Sequence, residues 1–144
     1  AQNKGAGKKN RMQEGFCCGM VLESIYGIFI FLVCFIFAKP LMCLFVQDEE
    51  VIMHGVTYLH LISIMYILPA FTNGIQGFFR GIGDLKITLI SSLVNMTVRV
   101  IVAAPLVFSL HLGIEALPYS YLAGWIGMLM AELPLLIRTY KAYE

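Results

Sequence analysis

Charge is scarce in this sequence. Asp, Glu, Lys and Arg make up 13% of its 144 residues, against roughly 25% in an ordinary soluble domain. So few ions do not cover a water-exposed surface. Net charge is +1, which removes the basic footprint of a nucleic-acid-binding chain. A metal pattern is also missing. Adjacent Cys17 and Cys18 cannot both ligate comfortably, and Cys34 lies in an apolar run; with Cys43 they read as small apolar packing residues. The Cys17–Cys18 pair is at most a weak palmitoylation pattern. No metal and no cofactor is expected, and no nucleophile–base pair points to an enzyme.

Several short motifs fail on inspection. Gly5-Ala6-Gly7-Lys8 resembles the end of a phosphate-binding loop, but Gln2 stands where a glycine is required and Lys9 where Ser or Thr is required. Gly81-Ile82-Gly83 lacks the third glycine and the preceding strand of a dinucleotide fingerprint. Asn95-Met96-Thr97 fits a glycosylation sequon but sits inside an apolar run, out of reach. A secretory signal core is shorter than the run from Gly15, and Phe35-Ile36-Phe37-Ala38-Lys39-Pro40 is a poor cleavage site. A transmembrane helix, in a chain whose upstream part is missing, is the better expectation.

What the sequence has is apolar length. It is 59% hydrophobic, with mean hydropathy +0.80. Apolar stretches run over about 15–38, 51–79, 87–110 and 117–138, and about 20 apolar residues cross the ~30 Å hydrocarbon layer. The predicted fold is all-α, a polytopic bundle of four transmembrane helices over 15–144, preceded by a polar loop over 1–14. Threading the spans back and forth puts Lys4, Lys8, Lys9, Arg11, Arg80, Lys86, Arg138 and Lys141 on one side. Lys39, Asp48, Glu49, Glu50 and Glu115 fall on the other. Lys/Arg bias marks the cytoplasmic side, so both ends are expected there, with the plasma membrane as the host.

Polar residues inside the spans follow helical spacing. Gly15, Gly19, Glu23 and Gly27 recur every four residues, as in helix faces that approach closely in lipid; Gly15, Gly19 and Gly27 are expected to pack and Glu23 to point inward. Pro69 should kink the second span. Asn73, Gln76 and Arg80 follow it at i, i+3 and i+7, with His54 and Tyr58 one turn apart above it. The third span carries Thr88, Ser91, Ser92, Asn95 and Arg99 at spacings of three to four. The fourth carries Tyr119, Tyr121 and Trp125, read as an interfacial aromatic belt, and ends with Glu132, Pro134 and Arg138. In the turn Arg80-Gly81-Ile82-Gly83-Asp84, both glycines permit positive φ and Asp84 is placed to cap the next helix.

Arg99 is the basic residue placed inside a span. A lone Arg at that depth costs about 2.5–3.5 kcal/mol on insertion scales. Asn95, one turn away, or cavity water is the expected relief, and by depth Glu132 is a poor partner. Asn73, Gln76, Asn95 and Arg99, with Glu23 and Glu132, are the candidate substrate or ion pathway.

Two stretches carry a resemblance. Ala1-Gln2-Asn3-Lys4-Gly5-Ala6-Gly7 followed by Arg11 resembles the loop between the second and third helices of a lobe in multidrug and toxic compound extrusion (MATE) transporters. Gln76-Gly77-Phe78-Phe79-Arg80-Gly81-Ile82-Gly83-Asp84 resembles the turn between the fourth and fifth helices of that lobe, and Gly124-Trp125 resembles the family's bacterial members. The resemblance implies the last four helices of a six-helix lobe, in the C-terminal part of a secondary antiporter that expels drugs or organic cations in exchange for Na⁺ or H⁺. It implies as partners membrane lipid, organic cations and the missing remainder, the other lobe and two helices. Some relatives carry a cation-binding acid on the helix equivalent to 51–79; here no acid lies between Val51 and Arg80, which puts Na⁺ coupling at that site in doubt. Rival readings are a lipid-linked sugar flippase, a standalone four-helix multidrug exporter and a non-transporting membrane protein.

Overall fold

A computed structural model describes residues 2–142. Ala1, which opens the first resembling stretch, lies outside the described residues, as do Tyr143 and Glu144. The elements are α1 (Gln2–Gly5), α2 (Lys9–Ile36), α3 (Ala38–Cys43), α4 (Glu49–Met65), α5 (Ile67–Gly81), α6 (Leu85–Phe108) and α7 (Ala116–Ala142). α2, α6 and α7 are each long and apolar enough to cross a membrane, and α4 with α5 makes a fourth crossing if the broken pair is one span. The chain is therefore an all-α, multi-pass membrane bundle.

The polar start is not the expected loop. α1 occupies Gln2–Gly5 and α2 begins at Lys9, six residues before the apolar run. Gly7, at φ +66°, makes the turn between them. Nothing in residues 9–14 breaks a helix, so the backbone carries its hydrogen bonds through the charged segment.

Proline punctuates the outer parts. α2 stops at Ile36 and a short helix restarts at Ala38, with Pro40 in its first turn, where a missing N–H costs no helical bond. Pro69 acts the same way in α5. It has no N–H for the Met65 carbonyl, so the helix breaks at Tyr66 and α5 leaves α4 at 50°. The expected kink is thus a break three residues before the proline. Asp48 caps α4, its carboxylate accepting from Glu50 N at 2.9 Å and Val51 N at 3.3 Å.

α6 and α7 form a long antiparallel hairpin, and α5 packs between that hairpin and α2. The rings of Phe16, Phe78 and Tyr140 meet, with centroids 4.9 Å (Phe16–Phe78), 6.0 Å (Phe16–Tyr140) and 6.2 Å (Phe78–Tyr140) apart. These contacts bring the start of α2 and the ends of α5 and α7 to one end of the bundle. Beside them Ile75, Phe79 and Ile87 form the apolar core. Large apolar side chains such as Ile25, Phe29, Leu93 and Val100 remain exposed along the outer faces, as lipid contact or further protein requires.

The turn between α5 and α6 differs in detail from expectation. Gly83 takes φ +85°, whereas Gly81 is simply the last residue of α5. Gly83 N donates to Arg80 O at 3.1 Å and Asp84 N to Phe79 O at 2.9 Å, the paired bonds of a Schellman cap. Asp84 occupies the N-cap of α6, but its side chain makes no capping hydrogen bond; its backbone is engaged by the preceding helix instead.

Candidate functional site

Two stripes of residues meet along the α6–α7 seam. On α7, Ala116, Ser120, Gly124, Met128 and Glu132 recur every four residues, and all five are buried. On α6, Ile87, Ser91 and Asn95 are buried at the same spacing, and Arg99 follows half-buried. Because the helices are antiparallel, each step on one is answered on the other. Arg99 lies over Gly124, Asn95 donates from Nδ2 to Met128 Sδ at 3.4 Å, and Ser91 stands beside Glu132. Four-residue ridges of small and polar side chains permit this close packing in lipid.

Gln76 completes the seam from α5. Its Nε2 donates to Glu132 Oε1 at 3.0 Å and lies 3.9 Å from Met128 Sδ. Glu132 is 0% exposed. Its second oxygen, Oε2, has no hydrogen-bond partner, and neither has the buried hydroxyl of Thr88 one turn before Ser91. An acid sealed among amides, a hydroxyl and a thioether is costly in an apolar bundle. Gln76, Asn95 and Glu132 are therefore brought together, on three helices.

The other predicted pathway residues separate. Asn73 is exposed and lines a groove of about 660 Å³ between α2 and α5, with Asn3, Arg11, Glu23 and Arg80. The expected single face of Asn73, Gln76 and Arg80 is thus split: Gln76 sits across the edge of that face and turns into the seam. Gly15 and Gly19 line the same groove, and a Cβ added to either meets no atom within 4 Å. Within this chain neither glycine packs against another helix. Along α2 the four-residue series passes from the groove at Gly15 and Gly19 to the α5 contact at Gly27. Gly27 does pack: a Cβ there comes 3.1 Å from Ala70 Cβ. Glu23 lies at the margin, half-buried, its Cγ 3.8 Å from where a Cβ on Gly74 would stand.

Arg99 is met by an aromatic ring rather than by the Asn95 side chain, whose amide faces Met128. Its Cζ lies 3.4 Å from the centroid of the Tyr121 ring. A cation–π contact contributes about 0.5–2 kcal/mol, more as water is excluded, and offsets part of the insertion cost of the charge. Gly124 makes room for the stem: a Cβ there would stand 2.5 Å from Arg99 Cγ. Tyr121, expected in the aromatic belt, lies against Arg99, and its ring is also 5.7 Å from that of Trp125. The signal for this seam lay in the small-residue spacing of Ala116, Ser120 and Gly124, unread beside the more visible glycines of α2.

The two stretches that carry the family resemblance touch each other. Lys4 Nζ donates to Ile82 O at 2.6 Å, so α1 closes the exposed carbonyl end of α5 next to the glycine turn. Among the described residues, no group of three or more His, Cys, Asp or Glu stands together to hold a metal ion.

An apolar bundle with a sealed polar seam and a cleft beside it defines a multi-pass membrane protein with polar side chains enclosed inside its spans. The chain belongs to the MatE family, whose model matches residues 1–106. It is similar to a probable multidrug resistance protein NorM of Thermotoga maritima, 25% identical over 126 residues. The match covers 87% of this chain and 26% of that relative, so the chain spans about a quarter of the curated protein it matches. No solved structure matches it.

Proposed function

We propose that the intact protein containing this chain is a MATE-type secondary antiporter that exports drugs or organic cations in exchange for inward Na⁺ or H⁺. The family match over residues 1–106 carries this reading, and the relative's description as a probable multidrug resistance protein points to the cargo. The sealed seam of Gln76, Asn95 and Glu132 agrees with it, since membrane-embedded acids mark ion and substrate paths. The aromatic cluster of Phe16, Phe78 and Tyr140 lies at the end carrying Lys4, Arg11, Arg80, Lys86 and Arg138. That end is the cytoplasmic one by the basic bias, with the plasma membrane as the host.

The test is accumulation of a cationic dye in cells stripped of their own efflux pumps. Cells expressing the intact protein should hold less dye, and collapsing both the Na⁺ and the H⁺ gradient should restore it. Equal accumulation with and without the protein, at verified expression, would end the antiporter reading.

A further inference from the structure

Arg99 carries a charge inside its span that no acid of this chain answers. Among the described residues, no carboxylate forms an ion pair with it and its guanidinium donates no hydrogen bond. Gly124 faces Arg99, and along α7 Glu132 lies about 12 Å from Gly124 at 1.5 Å per residue. Glu115 precedes the start of α7 altogether.

The Tyr121 ring covers one face of the guanidinium, with Cζ 3.4 Å from its centroid. So close an approach holds the two planes nearly parallel, because an upright guanidinium would drive a nitrogen into the ring. The N–H groups then point sideways, past the rim of the ring. Glu132 Oε2 is a sealed polar atom without a partner, but no nitrogen of Arg99 is. The edge of the guanidinium is therefore open.

We propose that this edge is a binding site for the carboxylate of a small aromatic acid. The guanidinium fork meets a carboxylate with two parallel N–H···O bonds. One cation balances one singly charged carboxylate, which costs less to bring into a span than a doubly charged phosphate. Depth excludes lipid headgroups. The ends of α6, Leu85 and Phe108, lie about 21 Å and 14 Å from Arg99 along the axis. The aromatic body of the acid has its place beside the charge. Tyr121 and Trp125 are half-buried, with ring centroids 5.7 Å apart, and they present apolar faces next to the open edge.

Binding of the acid stands apart from the antiporter reading; only its export rests on that reading. The experiment is equilibrium binding of radiolabelled naphthoate to the intact protein in phosphatidylcholine vesicles, with protein-free vesicles subtracted. The comparison is naphthamide, its neutral isostere. Wild type should bind naphthoate about tenfold more tightly or better, as charge-assisted hydrogen bonds require. Arg99→Gln should lose that preference. Arg99→Lys, a point charge without the fork, should keep only part of it. Equal affinity for the two probes in wild type overturns the proposal, as does an undiminished preference in Arg99→Gln. If the variants fail to fold, photolabelling of wild type decides. Azidobenzoate should mark α7 around Trp125, with protection by excess naphthoate and none by naphthamide; labelling confined to other segments overturns the proposal. Added phosphatidylglycerol should leave naphthoate binding unchanged, and displacement by it would overturn the small-acid assignment in favour of a lipid headgroup. The naphthoate preference without dye efflux ends the antiporter reading alone. Dye efflux without the preference ends this proposal alone.

Discussion

Glycines that look alike in sequence do different work here. Gly124 is buried and faces Arg99; a Cβ there would also stand 3.1 Å from the carbonyl oxygen of Asn95. The side-chain stem can shift but the backbone oxygen cannot, so Gly124→Ala should destabilise the bundle by about 1–3 kcal/mol, the usual range for overpacking. Gly19→Ala adds a methyl to open space and should leave stability within about 0.5 kcal/mol. Thermal unfolding of the purified intact protein in detergent compares them. Equal loss in both, or none in Gly124→Ala, would show that the α6–α7 seam is not the tight contact described. Arg99 makes a related point. Its charge and depth mark it as costly, but which group meets it depends on a tyrosine 22 positions away whose ring lies against its guanidinium.

Helix α5 owes its direction to Pro69. Removal of one backbone donor breaks the second span at Tyr66 and swings α5 through 50°, which carries Gln76 into the seam and leaves Asn73 on the groove. Pro69→Ala restores the donor for Met65 O, and the pair should straighten. On helix geometry of 1.5 Å rise per residue, spin labels at the exposed positions Thr57 and Gly77 should move apart by about 3 Å. An unchanged distance distribution would mean that packing, not the proline, sets the bend. The same scale explains why the polar stripe of α5 was only partly legible. Residues 73, 76 and 80 share a face within about 60° of rotation, and a helix held between two neighbours divides a face that wide. Pattern gives the angular positions; only the neighbours decide where the face is cut.

For the whole molecule, the arrangement predicts a topology. Residues that precede α2, follow α5 and end α7 gather at one end, and the Asp48 turn lies beyond the far end of α2. With the native cysteines replaced by alanine, Asp48→Cys should react with a membrane-impermeant thiol reagent added outside intact cells, and Lys8→Cys should not. Outside labelling at both positions would refute the orientation. The sequence alone determined the all-α class, the apolar spans, the asymmetry of basic residues and the family, because length, hydropathy and motif order survive without knowledge of packing. The positive φ at Gly83 was legible for the same reason, being set within a few residues of chain. The tertiary structure decided that Gly15 and Gly19 face an open groove, that Tyr121 covers Arg99, and that Lys4 reaches the carbonyl of Ile82, 78 positions on. It also decided that Gln76, Asn95 and Glu132 share one enclosed site. Each of these depends on the rotation and register of one helix against another, and a periodic sequence fixes neither.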